Sequence, residues 1–161
     1  MRAKSFSREY PERPVVGVGG VVIEDGRALL VRRASEPLRG EWSIPGGTLE
    51  LGETLEEGVA RELLEETGLE VRVVELIEVF DRIYWKEAAS TGVENKAPRF
   101  HYVIVDYLCE RIRGAAVAGS DASEVAFARE AELGAYRLTE TAMRILRKAF
   151  AMDRVRRELR G

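Results

Sequence analysis

Gly47-Thr48-Leu49-Glu50-Leu51-Gly52-Glu53-Thr54-Leu55-Glu56-Glu57-Gly58-Val59-Ala60-Arg61-Glu62-Leu63-Leu64-Glu65-Glu66-Thr67-Gly68-Leu69 carries the start, the stop and the buried face of one helix. Thr54, with Glu57 three residues on, makes a capping box in which each side chain satisfies a backbone N–H that the first turn leaves free. Leu55, Val59, Ala60 and Leu63 recur at helical spacing and form one apolar stripe, which must be buried against another element. Gly68 ends the run, because a residue without a Cβ readily takes the left-handed conformation that closes a helix. The spacing predicts a helix over residues 54–67.

The flanks supply what such a helix packs on. Residues 15–33 hold two β-branched, apolar runs around Asp25-Gly26, a dipeptide suited to the positive φ angles of a tight hairpin turn. Residues 38–47, with Gly40, Pro45, Gly46 and Gly47, read as a loop of defined shape. Residues 70–80 alternate Val71, Val73 and Leu76, and residues 100–109 are aromatic and β-branched, so both are expected to be strands. Between them, residues 86–98 are polar and read as a long loop, either disordered or placed beside a ligand. Residues 120–131 open on a short acidic loop, and residues 139–159 place Met143, Leu146, Phe150 and Val155 at the spacing of a terminal helix.

Composition narrows the function classes. With 161 residues, 45% hydrophobic and 33% charged, the chain has the balance of one globular domain that can bury a core; residues 1–14 read as an N-terminal arm and 15–161 as a single domain. A net charge of −3 does not suit a protein that coats nucleic acid or an anionic membrane, so neither partner is expected and a phosphate-bearing ligand must be met locally. Cys109, the one cysteine, cannot form an intramolecular disulfide, and no Cys/His spacing suits zinc. The polar start lacks the apolar run of a signal peptide and no window approaches a membrane span, which points to a cytoplasmic location.

Glu62, Glu65 and Glu66 stand at i, i+3 and i+4 and project from one face of the helix within a turn. Like charges at that spacing cost about 0.2–0.5 kcal/mol per pair, which a cation would offset. Ligands that are all oxygen suit Mg²⁺ or Mn²⁺, and Mg²⁺ usually bridges carboxylates to substrate phosphates. Taken alone, three such glutamates describe an ordinary solvated helix face.

The whole stretch resembles the motif of the Nudix hydrolase family: Gly47, Glu53 after five residues, Arg61-Glu62 after seven more, then Leu63, Glu65-Glu66, Gly68 and Leu69, with every fixed position filled. At residue frequencies of roughly a tenth each, chance agreement is on the order of 10⁻⁸ per starting point. The resemblance implies an α/β fold, a Nudix-type α/β/α sandwich with a mixed β-sheet, and metal-dependent hydrolysis of a diphosphate linkage in a nucleotide derivative. It implies that Glu62, Glu65 and Glu66, joined by the backbone carbonyl of Gly46, bind Mg²⁺ or Mn²⁺, and that Glu53 and Arg61 tie the loop to the helix. Either Glu66 or Glu124, in the acidic loop, is the expected general base, since family members differ in which glutamate serves; Glu53, Arg61, Glu62, Glu66 and Glu124 form the candidate catalytic set. Residues 100–103 and 120–124 look most like the ADP-ribose pyrophosphatase-like branch. The proline that marks some ADP-ribose hydrolases is not apparent near Tyr84-Trp85, which keeps nucleoside triphosphates, dinucleoside polyphosphates and nucleotide sugars in contention. Family members are often homodimers. A non-catalytic nucleotide-binding relative would usually have lost motif carboxylates that this chain keeps.

Other features are secondary. Gly17-Val18-Gly19-Gly20 partly matches a dinucleotide fingerprint, but Val22 fills the third glycine position and a hairpin rather than a helix follows. Arg32 and Arg33 end the second strand and must point to opposite faces, so only one can reach a substrate phosphate. Trp42 is a candidate to stack on a base or to pack in the core, Tyr84 and Trp85 are candidates for base selection, and His101 reads as structural.

Overall fold

In the computed structural model, which describes residues 7–85 and 97–161, Asp25 and Gly26 take φ of 48° and 71°. The runs on either side become β1 (Val15–Glu24) and β2 (Arg27–Arg33), antiparallel with Ile23 opposite Ala28. The glycine-rich stretch, expected as loop throughout, contains two short strands: β3 (Trp42–Ser43) on β2 and β4 (Gly46–Thr48) on β1. Close approach explains β4, since a Cβ on Gly46 would sit 2.2 Å from the Val18 carbonyl oxygen.

Helix α1 (Leu55–Thr67) has the anticipated ends: Thr54 accepts from the Glu57 N–H, Glu57 accepts from the Thr54 N–H, and Gly68 is left-handed at φ 71°. Strands β5 (Glu70–Trp85) and β6 (Pro98–Arg113) run well beyond the apolar stretches that announced them, because they pair with each other along their whole length. Of the polar segment anticipated at 86–98, residues 86–96 lie outside the described residues. Residues 120–131 are not mainly loop: β7 (Ala122–Arg129) pairs with β2, so Glu124 is a strand residue opposite Arg32. A 3₁₀ helix (Glu130–Tyr136) leads to α2 (Glu140–Arg160), whose N-cap Thr139 accepts from the Ala142 N–H.

The strands form a seven-stranded mixed sheet in the order β3-β2-β1-β6-β5, with β4 beside β1 and β7 beside β2; β1 and β6 run parallel. Alternation along β1 sends Val18 and Val22 to one face and Val21 to the other. On the first face, Val59 and Leu63 of α1 pack with Val18, Val22, Leu29 and Val71. On the second, Ile145, Leu146 and Phe150 of α2 pack with Val21, Leu30, Ile77 and Leu108. The result is an α/β/α sandwich. Gly20 serves this packing rather than a phosphate loop, since a Cβ there would come within 3.0 Å of Val59 and Leu63. Among the described residues no helix is long and apolar enough to cross a membrane.

Candidate active site

A cavity of about 470 Å³ opens where the end of α1 meets the α2 side of the sheet. Glu62, Glu65 and Glu66 form one wall and Gly46, Gly47 and Thr48 of β4 lie beside them. Phe80, Arg82 and Tyr84 of β5 and Tyr102, Ile104 and Asp106 of β6 form the floor, and Thr141, Ala142 and Ile145 of α2 close the far end.

The helix spacing brings the three glutamates to this wall, but they do not converge. Among the described residues no three acidic, His or Cys side chains stand close enough to hold an ion as placed. Arg61 engages two of them. Its guanidinium donates through Nη1 to Glu62 at 2.8 Å and Glu65 at 3.3 Å, and through Nη2 to Glu53 at 3.0 Å and the Thr48 carbonyl at 3.1 Å; Nε also bonds Glu53. Glu53 in turn accepts from the Glu50 N–H at 2.8 Å. Arg61 thereby ties the loop to the helix and offsets part of the charge of the glutamates beside it. Glu66 turns the other way and accepts from the Gly46 N–H at 3.0 Å.

These contacts set the proton affinities. The Arg61 hydrogen bond holds Glu53 below the usual carboxylate range. Burial pushes Glu62 up despite Arg61, and pushes Glu66 up to about 7 against the Gly46 hydrogen bond. Glu65, with a half-exposed side chain, completes the wall.

The NUDIX domain family profile matches residues 13–150, most of the chain. The chain belongs to the NUDIX family. It is 36% identical over 114 residues to an ADP-ribose pyrophosphatase of Methanocaldococcus jannaschii, across 71% of this chain and 61% of that protein. It is 58% identical over 66 residues to a MutT-like protein of Streptomyces ambofaciens, across 40% of this chain and 41% of that protein. The matched stretch thus spans less than two thirds of either relative. Among solved structures, a NUDIX hydrolase from Nitrosomonas europaea superposes with a TM-score of 0.68 at 26% identity, covering 87% of this chain and 72% of that one. A MutT NUDIX hydrolase from Burkholderia pseudomallei gives 0.67 at 28% identity, covering 85% and 98%. The sandwich is therefore the NUDIX fold.

Not every candidate residue of this NUDIX chain reaches the cavity. Arg33 lines it, whereas Arg32 bonds Glu124 at 2.8 Å and the Gly40 carbonyl at 2.9 Å. Glu124 is occupied by that ion pair and is not among the lining residues; Asp121 and Ser120, just before β7, are. Trp42 packs edge-on against Tyr136, at 5.3 Å between ring centres, instead of lining the cavity. Tyr84 lines it and Trp85, next along β5, does not, as strand alternation dictates. Asp106, Arg82 and Phe80 went unnoticed in the sequence. Alternation along β5 and β6 groups them on one face, but only the pairing of β1 with β6 shows that this face adjoins the motif.

Proposed function

We propose that this chain is a divalent-cation-dependent hydrolase of a diphosphate linkage in a nucleoside diphosphate derivative, with ADP-ribose or a close relative the favoured substrate. The observation that carries the reading is the placement of Glu62, Glu65 and Glu66 on one wall of a nucleotide-sized cavity. The name of the Methanocaldococcus jannaschii relative supports the substrate class.

The donor set suits Mg²⁺ or Mn²⁺. It is all oxygen, burial disfavours the charged forms of Glu62 and Glu66 in a way that a cation would offset, and Gly47 leaves room where a Cβ would press on the Glu62 carboxylate at 2.4 Å. Glu62, Glu65, Glu66 and the Gly46 carbonyl would hold the ion, with Glu62 and Glu65 giving up part of their contact with Arg61. A cation bound there would offset the charge of the diphosphate and acidify a water. Glu66, on the wall beside that water, would accept a proton from it. Arg61, anchored by Glu53, keeps the wall oriented. Arg33 meets a phosphate oxygen, and Asp121 rather than Glu124 is the acidic group of its segment positioned to assist.

The test is a panel of ADP-ribose, dinucleoside polyphosphates, nucleotide sugars and nucleoside triphosphates, assayed with Mg²⁺, Mn²⁺ or EDTA for phosphate released after phosphatase treatment. Turnover should need the cation, and Glu66→Gln should lower kcat by about 10²-fold or more with an unchanged melting curve. Turnover in EDTA, or wild-type kcat in Glu66→Gln, would overturn the proposal.

A further inference from the structure

The floor of the cavity holds a carboxyl group that the proposed chemistry does not use. Asp106 is 4% exposed and has neither a hydrogen-bond nor an ion-pair partner among the described residues. Glu78 and Arg82 act on its charge from β5 without pairing with it. No side-chain oxygen or nitrogen among the described residues is sealed away without a partner, so the Asp106 oxygens open onto the cavity they line.

Space for this group is built into the sheet. Gly19 of β1 lies opposite Asp106 on one side and Gly46 on the other, and a Cβ on Gly19 would sit 2.2 Å from Asp106 Oδ1. Two inter-strand spacings put Asp106 about 10 Å from Gly46, so it faces the part of a ligand remote from the motif glutamates. Ile104 shares the face of Asp106 on β6 and pairs with Phe80 of β5, and Ile44 and Ile145 line the same cavity, together with the polar Arg82 and Thr141.

A buried acceptor without a protein partner, in an apolar slot, is complementary to a flat ligand with apolar faces and a donor on its edge. Above about pH 7, where Asp106 is ionised, it repels phosphate. A sugar, with hydroxyls on every side, lacks the flat apolar faces that Ile44, Phe80, Ile104 and Ile145 would cover. A nucleobase fits.

We propose that Asp106 is the base-selecting residue of this cavity, accepting a hydrogen bond from the exocyclic amino group of a nucleobase held between Ile44, Phe80, Ile104 and Ile145. The orientation of the nucleotide rests on the diphosphate-hydrolase reading, but the nucleoside slot itself does not. A base without the amino group leaves the carboxylate desolvated and unpaired, and that penalty supplies the selectivity.

The experiment uses nucleosides without phosphates, so it is independent of catalysis. At pH 8, where Asp106 is ionised, adenosine, guanosine, cytidine, uridine and purine riboside are titrated by NMR at millimolar concentration into the wild type, Asp106→Asn and Asp106→Leu. One amino-bearing nucleoside should bind the wild type tenfold or more tighter than uridine and purine riboside. Asp106→Leu should erase that gap, and Asp106→Asn, which keeps one acceptor but loses the charge, should narrow it. Equal affinities in all three proteins, no preference for the amino group in the wild type, or no nucleoside binding at all would overturn the inference. If the variants do not fold, the wild-type comparison of the three amino-bearing nucleosides with uridine and purine riboside decides alone. Amino-selective binding in a protein that hydrolyses nothing on the substrate panel would remove the hydrolase reading and leave the slot standing.

Discussion

The carboxyl groups of this chain share one chemistry and behave differently because their surroundings differ. Glu53 is held low by Arg61, whereas Glu66 and Asp106 are pushed up to about 7 by burial. For Asp106 the consequence for stability has a definite sign. Its ordinary value is 3.8, so between about pH 4 and 7 the folded chain keeps a proton that the unfolded chain has released, and stability falls as pH rises through that window. Asp106→Asn removes this slope. The melting temperature of the variant relative to wild type should therefore climb from pH 4 to pH 8, at roughly 2–4 °C per kcal/mol for a chain of this size. A constant difference across that range would show that the folded state does not hold the proton.

At the scale of elements, α1 is specified largely by its own sequence. Its capping box satisfies N–H groups at the start, Gly68 closes the end, and the apolar stripe turns the acidic face to the cavity. Thr54→Ala should cost about 1 kcal/mol, read as a shift of the urea midpoint with an unchanged slope; no shift would mean that packing alone holds the first turn. Strand β1 is the opposite case. Gly19 and Gly20 weaken it as a strand, yet each makes room for a group from elsewhere, Asp106 on one face and α1 on the other.

For the whole molecule, the sheet separates two cores, one under α1 and one under α2. Val59→Ala should cost about 2 kcal/mol, from two methyl groups at about 0.8 each plus a small cavity, and Ile145→Val about 0.5–1.5 kcal/mol. Since the two sites share no partner, the double variant should lose the sum to within about 0.5 kcal/mol in denaturant titration. A larger departure would mean that the sheet transmits strain between its faces.

The amino-acid sequence alone determined the hairpin at Asp25-Gly26, the two ends of α1, the face carrying Glu62, Glu65 and Glu66, and the terminal helix, because each depends on residues within a few positions of one another. Tertiary structure alone decided that Arg61 interleaves with those glutamates, that Glu124 pairs with Arg32 while Asp121 reaches the cavity, and that Trp42 serves the core. It also decided the place of Asp106, brought beside Gly19 by a parallel pairing across more than eighty residues. Backbone periodicity is local and leaves its mark on the chain. Strand register and the meeting of side chains depend on pairing between distant segments, which no short window of sequence records.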